Sequence, residues 1–249
     1  MKLLWIAIQT ENLKFRRSKL LWIALLVCMI MPVMLGLVFS GLISSKAALQ
    51  QPMDVPAYFD QLGIMISIAG LIGFGFIFSW LFGREYSDRT VKDLLALPVS
   101  RYAVAASKLI VAVLWCLIFA LLLFGFGVAA VHVFPFNGWS TNTMIHSLGN
   151  YTVLSFMAIC LSIPVAWMAS VGRGYMSSLG FVVLTIVVAQ ISGAMGIAHY
   201  IPWAVPGLLS GAGGEEVSHL GLFSRLLPYL TGLTGILGTL GWWRYADQT

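Results

Sequence analysis

The chain has 249 residues, of which 59% are hydrophobic and only 9% are charged, and its mean hydropathy is +0.92. Soluble domains carry about 25% charged residues, so this composition excludes a soluble globular protein. The net charge of +5 does not indicate a nucleic-acid partner, because the cations lie beside long apolar runs, as in membrane proteins. We therefore predict an all-α integral membrane protein, with residues 1–249 forming a single transmembrane domain that has the lipid bilayer as a partner.

The N-terminal segment mixes charged and apolar residues. Residues 1–19 contain six charges among leucine, isoleucine, tryptophan and phenylalanine, a mixture that favours an amphipathic helix lying at the membrane surface. The uncharged run that follows, Leu20–Ser45, has 26 residues. This run is longer than the apolar region of a signal peptide, which has about 7–15 residues, so we predict a retained first span. Pro32 is expected to kink that span.

The remaining apolar runs predict five more spans. A bilayer core about 30 Å thick requires roughly 20 apolar residues as helix, and the uncharged runs Gln61–Gly83 and Leu109–Gly172 have 23 and 64 residues. Spans two to six are expected near residues 62–82, 102–133, 150–171, 176–198 and 220–243. Between the last two, Pro202 and Pro206 interrupt residues 200–219, which predicts a short re-entrant or interfacial element on the outer side. The glycines of span six are expected to contact two neighbouring helices: Gly232, Gly235, Gly238 and Gly241.

The distribution of basic residues orients these six spans. With both termini in the cytosol, only Lys46 and Arg225 of the 14 Lys and Arg residues lie outside, so 14 − 2 = 12 lie inside. Short cytosolic loops are rich in Lys and Arg. The sequence therefore predicts a multi-pass protein with cytosolic termini.

Sequence motifs for catalysis or metal binding are largely missing. The chain has no H-E-x-x-H, G-x-S-x-G or Walker lysine motif, and its three cysteines lie in apolar runs without C-x-x-C spacing. We therefore predict no catalytic residue, metal or cofactor in this chain. Two alternatives stay open, a non-transporting anchor or sensor and a membrane-embedded enzyme acting at the outer face. The enzyme would use His199, Glu215, Glu216 and His219.

A charged segment, defined here as residues 84–101, separates spans two and three. Residues 83–108 hold 8 of the chain's 23 formal charges. Thr90 and Asp93 have capping-box spacing and Pro98 ends the pattern, which predicts a helix of about two turns. Its apolar ridge could dock in the groove of a partner protein or lie on the lipid surface. That ridge consists of Val91, Leu94, Leu95 and Pro98.

The order of residues in and around this segment resembles the intracellular signature of type-2 ABC exporter permeases. The resemblance rests on Phe82, Glu85, Thr90, Leu94-Leu95, Pro98-Val99-Ser100-Arg101 and Lys108, and on residues 11–22. Chain length, short loops and the opening segment are most similar to the lantibiotic-immunity and bacitracin-resistance branch. Arg89 departs from the pattern, because a glycine commonly precedes the threonine there.

This resemblance implies a function and a set of partners. The charged segment would contain a coupling helix that docks on a separate ATPase subunit, which would bind ATP and Mg²⁺ and hydrolyse the ATP. Two permease chains, identical or different, would assemble with the ATPases in a bacterial plasma membrane and export an amphipathic peptide or hydrophobic toxic compound. The residues expected to couple the two subunits are Glu85, Arg89, Thr90, Lys92, Leu94, Leu95, Pro98 and Arg101.

Overall fold

A computed structural model describes residues 2–41, 54–88, 90, 100–134, 136, 138–212 and 220–245, and all regular elements in these ranges are helical. Within these described ranges, seven helices have at least 15 residues. They are α1 Lys2–Arg16, α2 Lys19–Phe39, α3 Val55–Ser87, α4 Arg101–Val133, α5 Thr141–Val171, α6 Tyr175–Ala194 and α7 Leu222–Tyr245.

Five of these helices, α2 to α6, are long and apolar enough to cross a membrane, so the chain is a multi-pass membrane protein. They correspond to the first five predicted spans. The sixth predicted span is helical, as α7, but this helix is not one of the five candidates. Its threonines and glycines reduce its hydropathy.

Two helices begin earlier than the apolar pattern predicts. α3 starts at Val55, where the Asp54 side chain accepts a hydrogen bond of 2.9 Å from the Ala57 amide. α5 starts at Thr141, so residues 141–149, five of which are polar, form its first turns. A helix satisfies its backbone hydrogen bonds internally and can extend past the apolar region that a bilayer requires. Apolarity therefore located these spans but underestimated their length.

The bundle is built around α3 and α5. In their most apolar parts, 61% of the α3 residues and 72% of the α5 residues are buried, compared with 22% for both α2 and α6. α1 and α2 pack on one side of the bundle, mainly against α4, while α7 packs along α5. α3 and α5 therefore form the centre, and α2 and α6 lie at the periphery.

The contact between α5 and α7 differs from the expectation for the glycines. An added Cβ at Gly232 would lie 2.9 Å from Cys160 Cβ, and one at Gly235 would lie 2.7 Å from the Pro164 nitrogen. Both partner residues belong to α5, as does Trp167, which faces Gly238 at 2.7 Å. Three of the four glycines thus serve a single neighbour, which corrects the prediction of two.

The segment 198–212 lies between α6 and α7 and consists of short helical turns of changing type. Ala198 and Val205 are almost fully buried within the protein. The Ser67 hydroxyl of α3 donates to the Pro206 carbonyl at 3.2 Å, and the Trp203 indole N–H donates to the Leu161 carbonyl of α5 at 3.4 Å. Non-helical backbone at membrane depth is tolerated where it is buried in protein. These contacts fit a segment folded against the helices, while its position relative to the bilayer stays a prediction.

Candidate functional site

Three of the predicted coupling residues fall in the described part of the chain. Glu85 lies on the last turn of α3 and is buried, Thr90 follows it closely, and Arg101 is exposed at the start of α4. The Ser100 side chain accepts a hydrogen bond of 3.2 Å from the Ala103 amide and so caps α4. The other predicted coupling residues lie outside the described residues: Arg89, Lys92, Leu94, Leu95 and Pro98.

Glu85 belongs to a buried charge cluster, defined here as Glu11, Lys14, Glu85 and Lys108. Lys108 is 1% exposed and lies on α4, about 10 Å from the start of that helix at a rise of 1.5 Å per residue. Its ammonium donates to Glu11 Oε2 at 2.8 Å, to the Leu81 carbonyl at 3.1 Å and to Glu85 Oε1 at 3.2 Å. These three acceptors match the three donors of a lysine, so all of its donors are used.

Lys14 completes the cluster from the partly exposed side of α1. Its ammonium donates to Glu85 Oε1 at 2.9 Å and to Glu11 Oε1 at 3.1 Å. Burial opposes the charged form of Lys14, but the two carboxylates outweigh it and raise the pKa of this side chain above its ordinary value. Two ammonium groups therefore balance two carboxylates, which gives a neutral cluster at the meeting point of α1, α3 and α4.

The start of the charged segment is attached directly to this cluster. The Thr90 hydroxyl donates to Glu85 Oε2 at 2.6 Å, and the Thr90 amide donates to the Glu85 carbonyl at 3.0 Å. Both carboxylate oxygens of Glu85 are thus used, Oε1 by the lysines and Oε2 by Thr90. Glu85 itself belongs to the charged segment, and its single side chain contacts Thr90 of that segment as well as the lysines of α1 and α4.

Aromatic rings of α1, α3 and α4 also pack against one another at this junction. Phe15 of α1 is fully buried, with its ring centroid 5.0 Å from Trp115 and 5.8 Å from Trp80. The Trp115 indole N–H donates to Asn12 Oδ1 at 2.9 Å, so this large ring keeps its polar group satisfied. α1 is therefore held to α3 and α4 by ion pairs and by packing together.

The cluster resists separation of its three helices. Removal of one partner from a buried ion pair leaves an uncompensated charge and costs about 3–5 kcal/mol. Displacement of α3 relative to α1 or α4 would break contacts of the same kind, as would displacement of Thr90. A force applied to the charged segment would therefore reach α1 and α4 through Glu85.

Sequence reasoning assigned Glu85 and Thr90 to the coupling set but gave no role of this kind to Glu11, Lys14 or Lys108. Two signals could have identified them. Lys108 is followed by the 64-residue uncharged run, and ionisable residues bordering membrane spans usually require a partner. Glu11 is the one acidic residue among the six charges of residues 1–19. Their pairing depends on how α1 folds back on α4, which only the tertiary structure reveals.

The set predicted for an outer-face enzyme is described only in part. His199 lies in the 198–212 segment, with its ring 4.0 Å from that of Tyr200. Glu215, Glu216 and His219 lie outside the described residues. Within the described ranges, no three His, Cys, Asp or Glu side chains are grouped to hold a metal ion. Because three of its four residues lie outside the described ranges, this set is not tested by the structure, and the enzyme hypothesis stays a prediction.

Comparison with known proteins gives two matches. The family model described as ABC-2 family transporter protein matches residues 7–190, a range that includes α1 to α6 almost completely and the whole charge cluster. The chain is also 26% identical over 156 residues to the bacitracin transport permease protein BCRB of Bacillus licheniformis. That alignment covers 61% of this chain and 75% of the relative.

Proposed function

The chain belongs to the ABC-2 family of transporter proteins, and from this membership we propose that it is the permease subunit of an ATP-driven exporter. ATP and Mg²⁺ are bound by a separate ATPase, because this chain has no Walker motif of its own. The permease itself is not an enzyme. A second permease chain, identical or different, completes the transporter.

The observation that carries this proposal is the attachment of the charged segment to the charge cluster through Glu85. A coupling element must transmit movement of an ATPase to the helices that form the transport path. The contacts of Glu85 with Thr90, Lys14 and Lys108 provide such a connection from the charged segment to α1 and α4. Movement of the docked segment would pull on three helices at once.

The proposed topology has six spans with both termini in the cytosol. α2 to α6 supply five spans, and α7 supplies the sixth because its 24 residues extend about 36 Å, more than the bilayer core of about 30 Å. α1 then lies at the cytosolic surface, where Leu3, Trp5 and Ile6 on its exposed side meet lipid. The 12 to 2 distribution of basic residues supports this orientation.

The proposed substrate is an amphipathic peptide or another hydrophobic toxic compound that is moved outward. This proposal is supported by the similarity to a relative whose name describes transport of bacitracin. At 26% identity that similarity supports a substrate class and not a particular compound.

The experiment that tests coupling places a charge on the apolar ridge of the charged segment. Leu94→Asp and Leu95→Asp should abolish pull-down of the ABC-type ATPase that co-purifies with the wild-type chain, because an unpaired buried charge costs several kcal/mol. Membrane insertion should be preserved, since the segment lies between spans.

The matched control variants Arg89→Ala and Lys92→Ala remove charges from the same segment. They should weaken ATPase binding less, because exposed ion pairs contribute about 0–1 kcal/mol. ATP turnover in the assembled complex is measured alongside the pull-down. Wild-type pull-down and turnover in both aspartate variants would contradict the docking role and place the segment on the lipid surface.

A further inference from the structure

A basic pocket opens beside the charge cluster, where α1 turns into α2. It has a volume of about 430 Å³ and is lined by side chains from the end of α1, the start of α2 and the end of α3. The lining includes four cations and Trp80. The cations are Lys14, Arg17, Lys19 and Arg84.

The positive charge of this basic pocket is only partly neutralised by the protein. Lys14 and Lys108 pair with Glu11 and Glu85, and Arg84 pairs with Asp88 at 3.0 Å. Arg17 and Lys19 are exposed and form no ion pair within the described residues. The cations of the basic pocket and the charge cluster number five, and their anionic partners, including Asp88, number three. The net charge is therefore 5 − 3 = +2, so the pocket is suited to an anion.

An apolar groove continues directly from the basic pocket. It has a volume of about 440 Å³, lies between α2, α3 and α4, and shares Leu20 with the pocket. Its lining on α2 extends from Leu20 to Met31, which is about 16 Å at a rise of 1.5 Å per residue. That length is roughly half of a bilayer core of about 30 Å, which corresponds to a single leaflet.

We propose that the basic pocket and the apolar groove together bind one anionic phospholipid from the leaflet at the basic end of the bundle. The phosphate lies among Arg17, Lys19 and Arg84, and an acyl chain lies in the groove. Basic pockets between membrane helices are suited to anionic headgroups. A neutral lipid would fill the groove but leave the charge of +2 uncompensated. A second copy of this chain fits the site less well, because a two-fold contact would bring two positively charged pockets together at one interface.

This site has a mechanical consequence because Lys14 lines the basic pocket and also belongs to the charge cluster. A bound phosphate adds a second anionic contact beside α1 and fixes the connection between α1 and α2. The lipid therefore stabilises the helix that the charge cluster attaches to α3 and α4.

The headgroup contact is tested with the full chain purified in mild detergent and incubated with equal amounts of phosphatidylglycerol and phosphatidylcholine. Native mass spectrometry measures the ratio of the two lipids bound. The double variant Arg17→Gln and Lys19→Gln should lower the preference for phosphatidylglycerol at least about fivefold, the effect expected from one basic residue near an anionic lipid. Arg16→Gln removes one positive charge from the adjacent residue, which is exposed and does not line the basic pocket, and should leave the preference unchanged.

The groove is tested separately with Gly73→Trp. Gly73 lines the apolar groove, and an added Cβ there meets no atom within 4 Å, so the ring can occupy the groove. This variant should lose most of the bound phospholipid. Gly125→Trp on α4 is the matched control, because an added Cβ there also meets no atom within 4 Å and Gly125 does not line the groove. Gly73→Leu serves the same purpose if the tryptophan variant does not elute as a single species.

Three results would overturn the proposal. Undiminished preference in the Arg17 and Lys19 variant would exclude the basic pocket as a headgroup site. An equal loss in Arg16→Gln would indicate general attraction to an anionic surface. Dissociation of a dimer by Gly73→Trp, with unchanged bound lipid, would assign the groove to a second protein chain.

Discussion

Two junctions of the helix bundle are held together by different physical means. The junction of α1, α3 and α4 relies on four charges that satisfy one another, three of them buried, whereas α5 and α7 approach so closely that glycine is required along the contact. The α5–α7 contact adds a hydrogen bond of 2.9 Å from the Trp243 indole to the Ser170 hydroxyl, and Trp243 is fully buried. Neither contact relies mainly on large apolar side chains between the helices.

The difference between these two contacts follows from what lipid can replace. Apolar side chains gain little from packing on each other in a bilayer, because lipid tails are equally apolar, so helices associate through close van der Waals contact or through polar groups. The glycine contact leaves no room for a shifted arrangement of backbones. The charge cluster depends instead on ion pairs and hydrogen bonds between named atoms, such as Lys108 Nζ with Glu11 Oε2 at 2.8 Å. The first contact is therefore held by shape and the second by charge pairing.

The largest effect is expected from Lys108→Met. This variant removes the only hydrogen-bond donor to Glu11 Oε2 among the described residues. It leaves two buried carboxylates with one lysine. The free energy of unfolding should fall by about 3–5 kcal/mol. Equilibrium unfolding by SDS in mixed micelles measures the loss.

A second substitution separates charge imbalance from lost packing. In Lys108→Met combined with Glu11→Gln, the remaining Lys14 and Glu85 form a neutral pair, so part of the lost stability should return. A double variant that is no more stable than Lys108→Met alone would contradict the view that charge balance holds this junction.

A smaller effect is expected from Gly235→Ala in the α5–α7 contact. The new methyl group would lie 2.7 Å from the Pro164 backbone nitrogen and force the helices apart, which costs about 1–3 kcal/mol. Gly241→Ala is the control on the same helix, because its Cβ meets no atom within 4 Å. The control should be neutral or slightly stabilising, since alanine favours helix over glycine. Equal melting temperatures for the two variants in detergent would show that the contact is not close-packed.

Thr90→Val tests the attachment of the charged segment at nearly constant side-chain volume. Loss of this partly buried hydrogen bond to the Glu85 carboxylate should lower the free energy of unfolding by about 1.5 kcal/mol, the low end of the range for hydrogen bonds to charged groups. Thr90→Ser keeps the hydroxyl and should behave like the wild type in the same SDS titration. A Thr90→Val variant as stable as the wild type would contradict a stabilising role for this hydrogen bond.

The smallest effect is expected from Arg84→Ala, which removes an exposed ion pair with Asp88. Both side chains are about half exposed, at 45% and 52%, so water screens their attraction. The expected loss is about 0–1 kcal/mol. A thermal unfolding curve in detergent is sufficient to measure it, and a loss approaching that of Lys108→Met would mean that this surface pair belongs to the cluster.

Much of the architecture was predictable from the sequence because hydrocarbon imposes strict requirements on a chain. The uncharged runs located five of the apolar helices, and the matching family model confirms the resemblance that the charged segment indicated. Helix ends were less predictable. The capping of α3 by the Asp54 side chain and the start of α5 at Thr141 are features that a hydropathy pattern does not contain.

The sequence by itself determined that this protein is a helical membrane permease, and it identified Glu85 and Thr90 as part of the segment expected to couple to an ATPase. Only the tertiary structure decided which charges meet, because Glu11 and Lys108 lie 97 positions apart and come within 2.8 Å when α1 packs on α4. It also decided that Gly232, Gly235 and Gly238 face one helix, since helix periodicity places residues on a face without naming the neighbour that covers it. Burial and pairing depend on three-dimensional packing, whereas the need to span a bilayer is written in the length and apolarity of each run.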